Sequence, residues 1–179
     1  MKVIIVISGF TQKRYQHTGS KCLWRELRML RDLSTKDTVV HLKEWDSDWE
    51  EYSKFIISLA PEEVLVCCYS WGGGFGMPEL CKRLLVPVTC VMCDPVYRSK
   101  TFWGRWMAFI DRKIPVPSNV TVVNHLVQEA KWYQLDGDPL KGGKSLCETE
   151  VLDYTHTEMD DSIEYHTAAV LAARKYIKG

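Results

Sequence analysis

The sequence has no net charge and no long apolar run, and each absence excludes a class of protein. Its 179 residues include 23 basic and 23 acidic side chains, so the formal net charge is +0. Without an excess of positive charge there is no bulk field to recruit nucleic acid or an anionic membrane, and we expect no nucleic-acid partner. No apolar stretch approaches the roughly 20 residues that a membrane-spanning helix needs, so no integral membrane segment is expected either.

The chain also lacks the cysteine spacing of small disulfide-bonded secreted domains. Its seven cysteines are an odd number, and Cys67 and Cys68 are adjacent. Reduced thiols are typical of the cytoplasm, so the sequence predicts a cytoplasmic protein. No internal repeat, low-complexity segment or linker divides the chain, and residues 1–179 are therefore predicted to form one domain.

Strand and helix patterns alternate along the chain. Short apolar or β-branched runs predict strands at 3–7, 39–42, 64–68, 87–93 and 119–126. Apolar stripes at helical spacing predict helices at 20–33 and 49–59, one after the third strand to residue 85, and a last one at 161–177. Asp46 and Ser47 are expected to start the second helix, and Asp161 with Glu164 to form a capping box for the last. This order predicts an α/β protein with a mainly parallel central sheet and helices on both faces.

Two chemically useful side chains directly follow predicted strands, and a third lies in a late extended stretch. Ser70 follows the third strand, Asp94 follows the fourth, and His156 lies in a late loop. In a parallel sheet such positions meet at the carboxyl ends of the strands. A serine hydroxyl needs a base to take its proton, and a carboxylate behind that base fixes its tautomer and stabilises the imidazolium. The sequence therefore predicts Ser70 as nucleophile, His156 as base and Asp94 as the orienting acid.

Each of these assignments has an alternative. Ser70 also fits a helix cap, Asp94 a turn former before a proline, and His156 a solvated loop residue. The acid of such a site can also follow a later strand, where Asp136 or Asp138 would supply it. The other histidines are less suitable, because they fall in a polar loop, within or at the end of strands, or inside the last helix: His17, His41, His125 and His166.

Four motifs resemble the α/β-hydrolase superfamily. The sequence Cys-Tyr-Ser-Trp-Gly at 68–72 resembles its nucleophile elbow, and the longer run to residue 74 resembles small bacterial and phage hydrolases. Asp-Pro-Val at 94–96 resembles the acid-bearing segment of pancreatic-type lipases, and residues 156–160 resemble the histidine loop. The match extends from Val3 into the last helix. The family has glycine where this chain has Cys68, a position at which a side chain takes space in the tight turn.

The resemblance implies a minimal α/β-hydrolase fold and a serine hydrolase that is esterase- or lipase-like. It implies cleavage of a carboxylic ester, or a related acyl bond, of a small-molecule substrate through an acyl-enzyme, with no metal and no organic cofactor. The backbone amides of Trp71 and of Phe10 or Thr11 are expected to form the oxyanion hole. Two alternatives remain open: a non-catalytic binding protein with the hydrolase fold, and an esterase that acts on a polymeric cell-envelope substrate.

The segment 98–118 is the candidate substrate cap. Its aromatic side chains at helical spacing include Trp103, Trp106 and Phe109. In hydrolases an insertion near this point commonly covers the acyl pocket, and an apolar cap would favour a hydrophobic acyl or aryl group. An ordinary core helix packed on the sheet is the equally weighted alternative.

Overall fold

A parallel sheet forms the centre of the computed structural model, which describes residues 1–10, 12, 18–34, 37–98, 112–129, 137–143 and 145–178. Its strands are β1 (Lys2–Ile7), β2 (Thr38–Lys43), β3 (Val64–Tyr69), β4 (Val88–Cys93), β6 (Val120–Gln128), β8 (Ser145–Leu146) and β9 (Thr149–Leu152). The order is β2-β1-β3-β4-β6, with β8 and β9 both paired to β6, and all these pairings are parallel. A separate parallel pair joins β5 (Ile114–Val116) to β7 (Leu140–Gly142).

Successive side chains of each central strand point to opposite faces of the sheet and build two apolar layers. On one face, Ile5 and Val66 pack with α2 (Trp49–Ser58) and α3 (Met77–Cys81). On the other, Ile4 and Leu65 pack with α1 (Gly19–Ser34) and α4 (Ile163–Lys178). The innermost strands β1, β3 and β4 are almost entirely apolar because both faces are covered. The predicted α/β class, with a mainly parallel sheet and helices on both faces, is confirmed. None of the described helices has the length and apolar content needed to cross a bilayer.

The predicted helix starts at Asp46, Ser47 and Asp161 are wrong by one or two residues. Helix α2 begins after Asp48, whose Oδ1 accepts from the Glu51 amide at 2.9 Å. Ser47 instead donates its hydroxyl proton to the Glu44 carbonyl, at 2.8 Å. Asp161 belongs to a 3₁₀ turn, Met159–Asp161. The predicted capping box with Glu164 is replaced by Ser162, whose hydroxyl oxygen lies 3.4 Å from the Tyr165 amide that donates to it.

The helix after β3 is shorter than predicted. A π-helical turn, Gly72–Gly76, leads into α3, which ends at Cys81 rather than near residue 85. The Asn119 side-chain amide approaches the carbonyls of Cys81, Leu84 and Val86 at 3.2, 2.9 and 3.0 Å, and these contacts satisfy acceptors that a continuing helix would use.

The sheet register brings the strand ends to one edge. Ile7 pairs with Cys68, Tyr69 pairs with Cys93, and Cys93 pairs with Leu126. The residues that follow β1, β3 and β4 are consequently neighbours, since parallel strands end at the same side of the sheet.

Candidate functional site

Ser70 lies at the tip of a strained turn between β3 and the π-helical turn. Its φ is +52°, a conformation that an L-residue with a side chain keeps only when the surroundings enforce it, at a cost of about 1–3 kcal/mol. Four hydrogen bonds do so: the Ser70 amide donates to the Cys93 carbonyl at 3.1 Å, and its own carbonyl accepts from the amides of Gly73, Gly74 and Val96 at 3.0, 3.0 and 3.1 Å. The hydroxyl is thereby held beyond the end of the sheet.

The glycines after Ser70 are required by close backbone contacts. A Cβ at Gly72 would lie 2.5 Å from the Ile7 carbonyl oxygen, and one at Gly74 would lie 1.6 Å from that of Val96. The chain leaving Ser70 therefore runs between the end of β1 and the loop after β4 with no room for a side chain. This contact explains the glycine run of the sequence.

Ser70, His156 and Asp94 form one continuous hydrogen-bonded chain. Ser70 Oγ lies 2.8 Å from His156 Nε2, and His156 Nδ1 is hydrogen-bonded to Asp94 Oδ2. The second carboxylate oxygen, Oδ1, accepts from the Gln128 amide at 3.1 Å. Asp94 is fully buried, and its φ is +42°. In this arrangement the imidazole can accept the hydroxyl proton while the carboxylate stabilises the protonated ring.

Tyr69, the residue before Ser70, contacts His156 in two ways. Its hydroxyl donates to the His156 carbonyl at 2.5 Å, and the two rings stack with centroids 5.2 Å apart. Burial raises the pKa of the Tyr69 phenol, so the hydroxyl stays a donor at neutral pH. Sequence reasoning missed this role, because nothing in the strand pattern indicates which histidine the tyrosine meets.

Asp138, one of the alternative acids, has a different role. Its Oδ2 accepts from the Tyr97 amide at 2.6 Å, and its own amide donates to the Pro95 carbonyl at 2.7 Å. These bonds hold the loop that follows β4. Asp136, the other alternative, lies outside the described residues.

The other described histidines have partners away from Ser70. His125 Nδ1 lies 2.9 Å from Thr149 Oγ1, and burial lowers the pKa of His125 to about 4, so its ring is neutral near pH 7. Burial also lowers the pKa of His41, and His166 Nε2 lies 2.9 Å from the Asp160 carbonyl. His17 lies outside the described residues.

The two described residues expected at the oxyanion hole are in mutual contact. The rings of Phe10 and Trp71 lie with centroids 4.1 Å apart, tilted by 34°. Trp71 directly follows Ser70, and Phe10 follows β1. Within the described ranges neither backbone amide has a hydrogen-bond acceptor. Thr11, the alternative to Phe10, lies outside those ranges.

A cation-aromatic stack extends this contact. Trp45 lies edge-on to Trp71 with centroids 4.9 Å apart, and the Arg98 guanidinium carbon lies 3.8 Å from the Trp71 ring centroid and 4.0 Å from that of Trp45. No motif or spacing in the sequence predicted this position for Trp45.

The side chain of Cys68 is accommodated in the core. Its Sγ lies 3.7 Å from Cys90 Sγ and 3.7 Å from the Val91 carbonyl oxygen, and the residue is fully buried. The thiol points into the apolar layer shared with α3, and the positive φ of Ser70 is kept. Burial raises the pKa of Cys68, so the thiol is protonated and unreactive.

Two clefts lie at opposite ends of the sheet. A polar cleft of about 240 Å³ adjoins the end of β1 and includes Ser8, Gln12, Lys21 and Lys43. A larger cleft, of about 930 Å³, lies at the amino ends of the strands beside α4 and includes none of the three hydrogen-bonded residues. Of the candidate cap 98–118, the described end forms strand β5. Trp103, Trp106 and Phe109 lie outside the described residues.

Comparisons with protein-family models, with curated proteins and with solved structures gave no match.

Proposed function

We propose that this protein is a serine hydrolase of the α/β-hydrolase type that cleaves a carboxylic ester, or a related acyl bond, of a small molecule. The observation that carries the proposal is the hydrogen-bonded chain from Ser70 through His156 to buried Asp94. The strained turn at Ser70 and its place after a central strand agree with the elbow that the motif at 68–72 resembles.

In the first half of the reaction Ser70 Oγ attacks the ester carbonyl while His156 Nε2 takes the hydroxyl proton. Asp94 accepts from Nδ1 and so stabilises the positive ring that forms. The imidazolium then gives its proton to the departing alkoxide, the carbon–oxygen bond of the ester breaks, and the alcohol leaves. The acyl group remains on Ser70.

In the second half a water molecule takes the place of the alcohol. His156 removes its proton, the hydroxide adds to the acyl carbonyl, and the protonated ring returns the proton to Ser70 Oγ as the acid leaves. In both halves the amides of Trp71 and of Phe10 or Thr11 bind the negative oxygen of the tetrahedral intermediate. Aligned donors of this kind contribute about 2.7–4 kcal/mol each.

The test is hydrolysis of p-nitrophenyl esters, from acetyl to long acyl chains. We expect the wild type to turn over at least one of them, and Ser70→Ala and His156→Ala to lose on the order of 10⁴- to 10⁶-fold in kcat. His41→Ala is the matched control, because this half-buried histidine lies on β2 against Tyr52 and Phe55. A folded wild type that hydrolyses none of the esters, or a Ser70→Ala variant as active as the wild type, would overturn the proposal.

A further inference from the structure

The turn after β1 is closed by the side chain of Gln12. Its Oε1 accepts from the Gly9 amide at 3.1 Å, and its backbone amide lies 3.4 Å from the Gly9 carbonyl oxygen. Ser8 Oγ donates to the Gln12 carbonyl at 3.3 Å. Phe10 lies between these contacts, so the direction of its amide depends on where the Gln12 side chain is held.

A buried carboxylate holds that side chain from the other side. Gln12 Nε2 donates to Asp160 Oδ2, the same oxygen that accepts from the Ser20 amide at 3.2 Å. Ser20 Oγ donates to Gln12 Oε1 at 2.9 Å and completes the network at the start of α1. Asp160 is 3% exposed, and a charged group so deeply buried is stable only when its oxygens are hydrogen-bonded.

Asp160 lies four residues after His156, in the same loop. The backbone of this loop is fixed as well: Tyr69 donates to the His156 carbonyl, Cys93 Sγ lies 3.2 Å from the Met159 carbonyl oxygen, and His166 contacts the Asp160 carbonyl. The hydrogen bond from Gln12 to Asp160 ties the turn that carries Phe10 to the loop that carries His156.

We propose that Gln12, anchored by Asp160, is a positioning residue that sets the Phe10 amide in the oxyanion hole relative to Ser70 and His156. The inference rests on the proposed function, since it assigns a role within that site. Donors stabilise the tetrahedral oxyanion only when they already point at it. A turn made of a glycine, an aromatic residue and polar residues does not fix the direction of its amides without a further contact.

The test compares kcat, KM and inhibition in Gln12→Ala, Asp160→Ala and Asp160→Asn. The inhibitor is a trifluoromethyl ketone carrying the acyl group of the best p-nitrophenyl ester, because it adds to the serine and places an oxyanion in the hole. Each rate is divided by the concentration of protein whose Ser70 can be acylated, so that a misfolded fraction does not affect the comparison. Lys21→Ala is the control, since Lys21 borders the same cleft and the Gln12 side-chain hydrogen bonds described above are to Gly9, Ser20 and Asp160.

We expect Gln12→Ala to lower kcat by about 10- to 100-fold, part of the roughly 10²- to 10³-fold cost of losing one donor. KM should stay within about threefold, and the ketone should bind more weakly by the same factor as kcat falls. Asp160→Ala should lower kcat to the same extent. Asp160→Asn should keep most of the wild-type rate, because asparagine keeps an acceptor for Gln12. The double variant Gln12→Ala, Asp160→Ala should be no slower than either single variant, since both remove the same hydrogen bond.

A Gln12→Ala variant with wild-type kcat and wild-type ketone affinity overturns the inference and leaves the proposed function intact. The same holds if only the unfolding temperature changes. If Asp160→Ala does not fold, Gln12→Ala still decides, because Gln12 is only partly buried. A wild type that is never acylated on Ser70 overturns the proposed function and this inference with it.

Discussion

Replacing Asp94 by asparagine separates the two tasks of its carboxylate. Asp94 Oδ2 accepts from His156 Nδ1, while Oδ1 accepts from the Gln128 amide at 3.1 Å. Asparagine has one oxygen and one NH₂ group. If the oxygen faces Gln128, the NH₂ group faces His156 Nδ1 and forces the ring into the tautomer with its proton on Nε2. That proton then points at Ser70 Oγ, so the ring can no longer act as base.

The opposite orientation of the amide is no better. The NH₂ group would then face the Gln128 N–H, and two donors would meet in a fully buried site, at a cost of about 1–3 kcal/mol. We therefore expect the wrong tautomer to dominate and kcat to fall on the order of 10⁴-fold, which corresponds to about 5 kcal/mol in the activation free energy. The assay is steady-state hydrolysis of the best p-nitrophenyl ester between pH 6 and 9, with circular dichroism to check folding.

Asp138→Asn is the matched control. Asp138 Oδ2 accepts from the Tyr97 amide at 2.6 Å, and an asparagine oxygen accepts from the same donor, so we expect kcat within about threefold of the wild type. More than a tenth of the wild-type rate in Asp94→Asn, or an equally large loss in Asp138→Asn, would rule out this role of Asp94.

Three further outcomes are expected. Tyr69→Phe removes the hydroxyl bonded to the His156 carbonyl but keeps the stacked ring, so kcat should fall about three- to tenfold; an unchanged rate contradicts this. Asp48→Ala removes the α2 cap and should lower the free energy of unfolding in urea by about 1 kcal/mol, whereas an equal loss in Asp46→Ala would contradict the assignment. Because burial lowers the pKa of His125 to about 4, the unfolded chain binds more protons than the folded protein between about pH 4 and 6.5, so the free energy of unfolding decreases by about 3 kcal/mol as the pH is lowered from 6.5 to 4; urea titrations of His125→Gln should lack this loss.

The alternation of strands and helices was predictable because the central strands are covered on both faces. A segment such as Val64–Tyr69, apolar at every position, has no other place in a domain of this size than the middle of a sheet. The edge of the sheet was not predictable in the same way. Strand β9, Thr149–Leu152, is mostly exposed and has no apolar run, and its position depends on pairing with β6.

The chemistry of the site was predictable as residue types at strand ends, but its supporting contacts were not. Strand order places Ser70 and Asp94 side by side, and the loop position indicated His156. Which residue meets Gln12 depends on how two loops about 150 positions apart pack together, and no spacing in the sequence encodes this. The same holds for Asp48 against Asp46 and Ser47, since aspartate and serine both favour helix starts and only the local geometry selects Asp48.

Covalent labelling shows directly whether Ser70 is an activated nucleophile. The folded protein is treated with a fluorophosphonate probe at pH 7.5, digested, and the labelled peptide is sequenced by mass spectrometry. We expect one label, on Ser70, which is absent in Ser70→Ala and much slower to form in His156→Ala. No label on the folded wild type, or a label on a different serine, would contradict it and favour a binding protein that keeps the fold without the reaction.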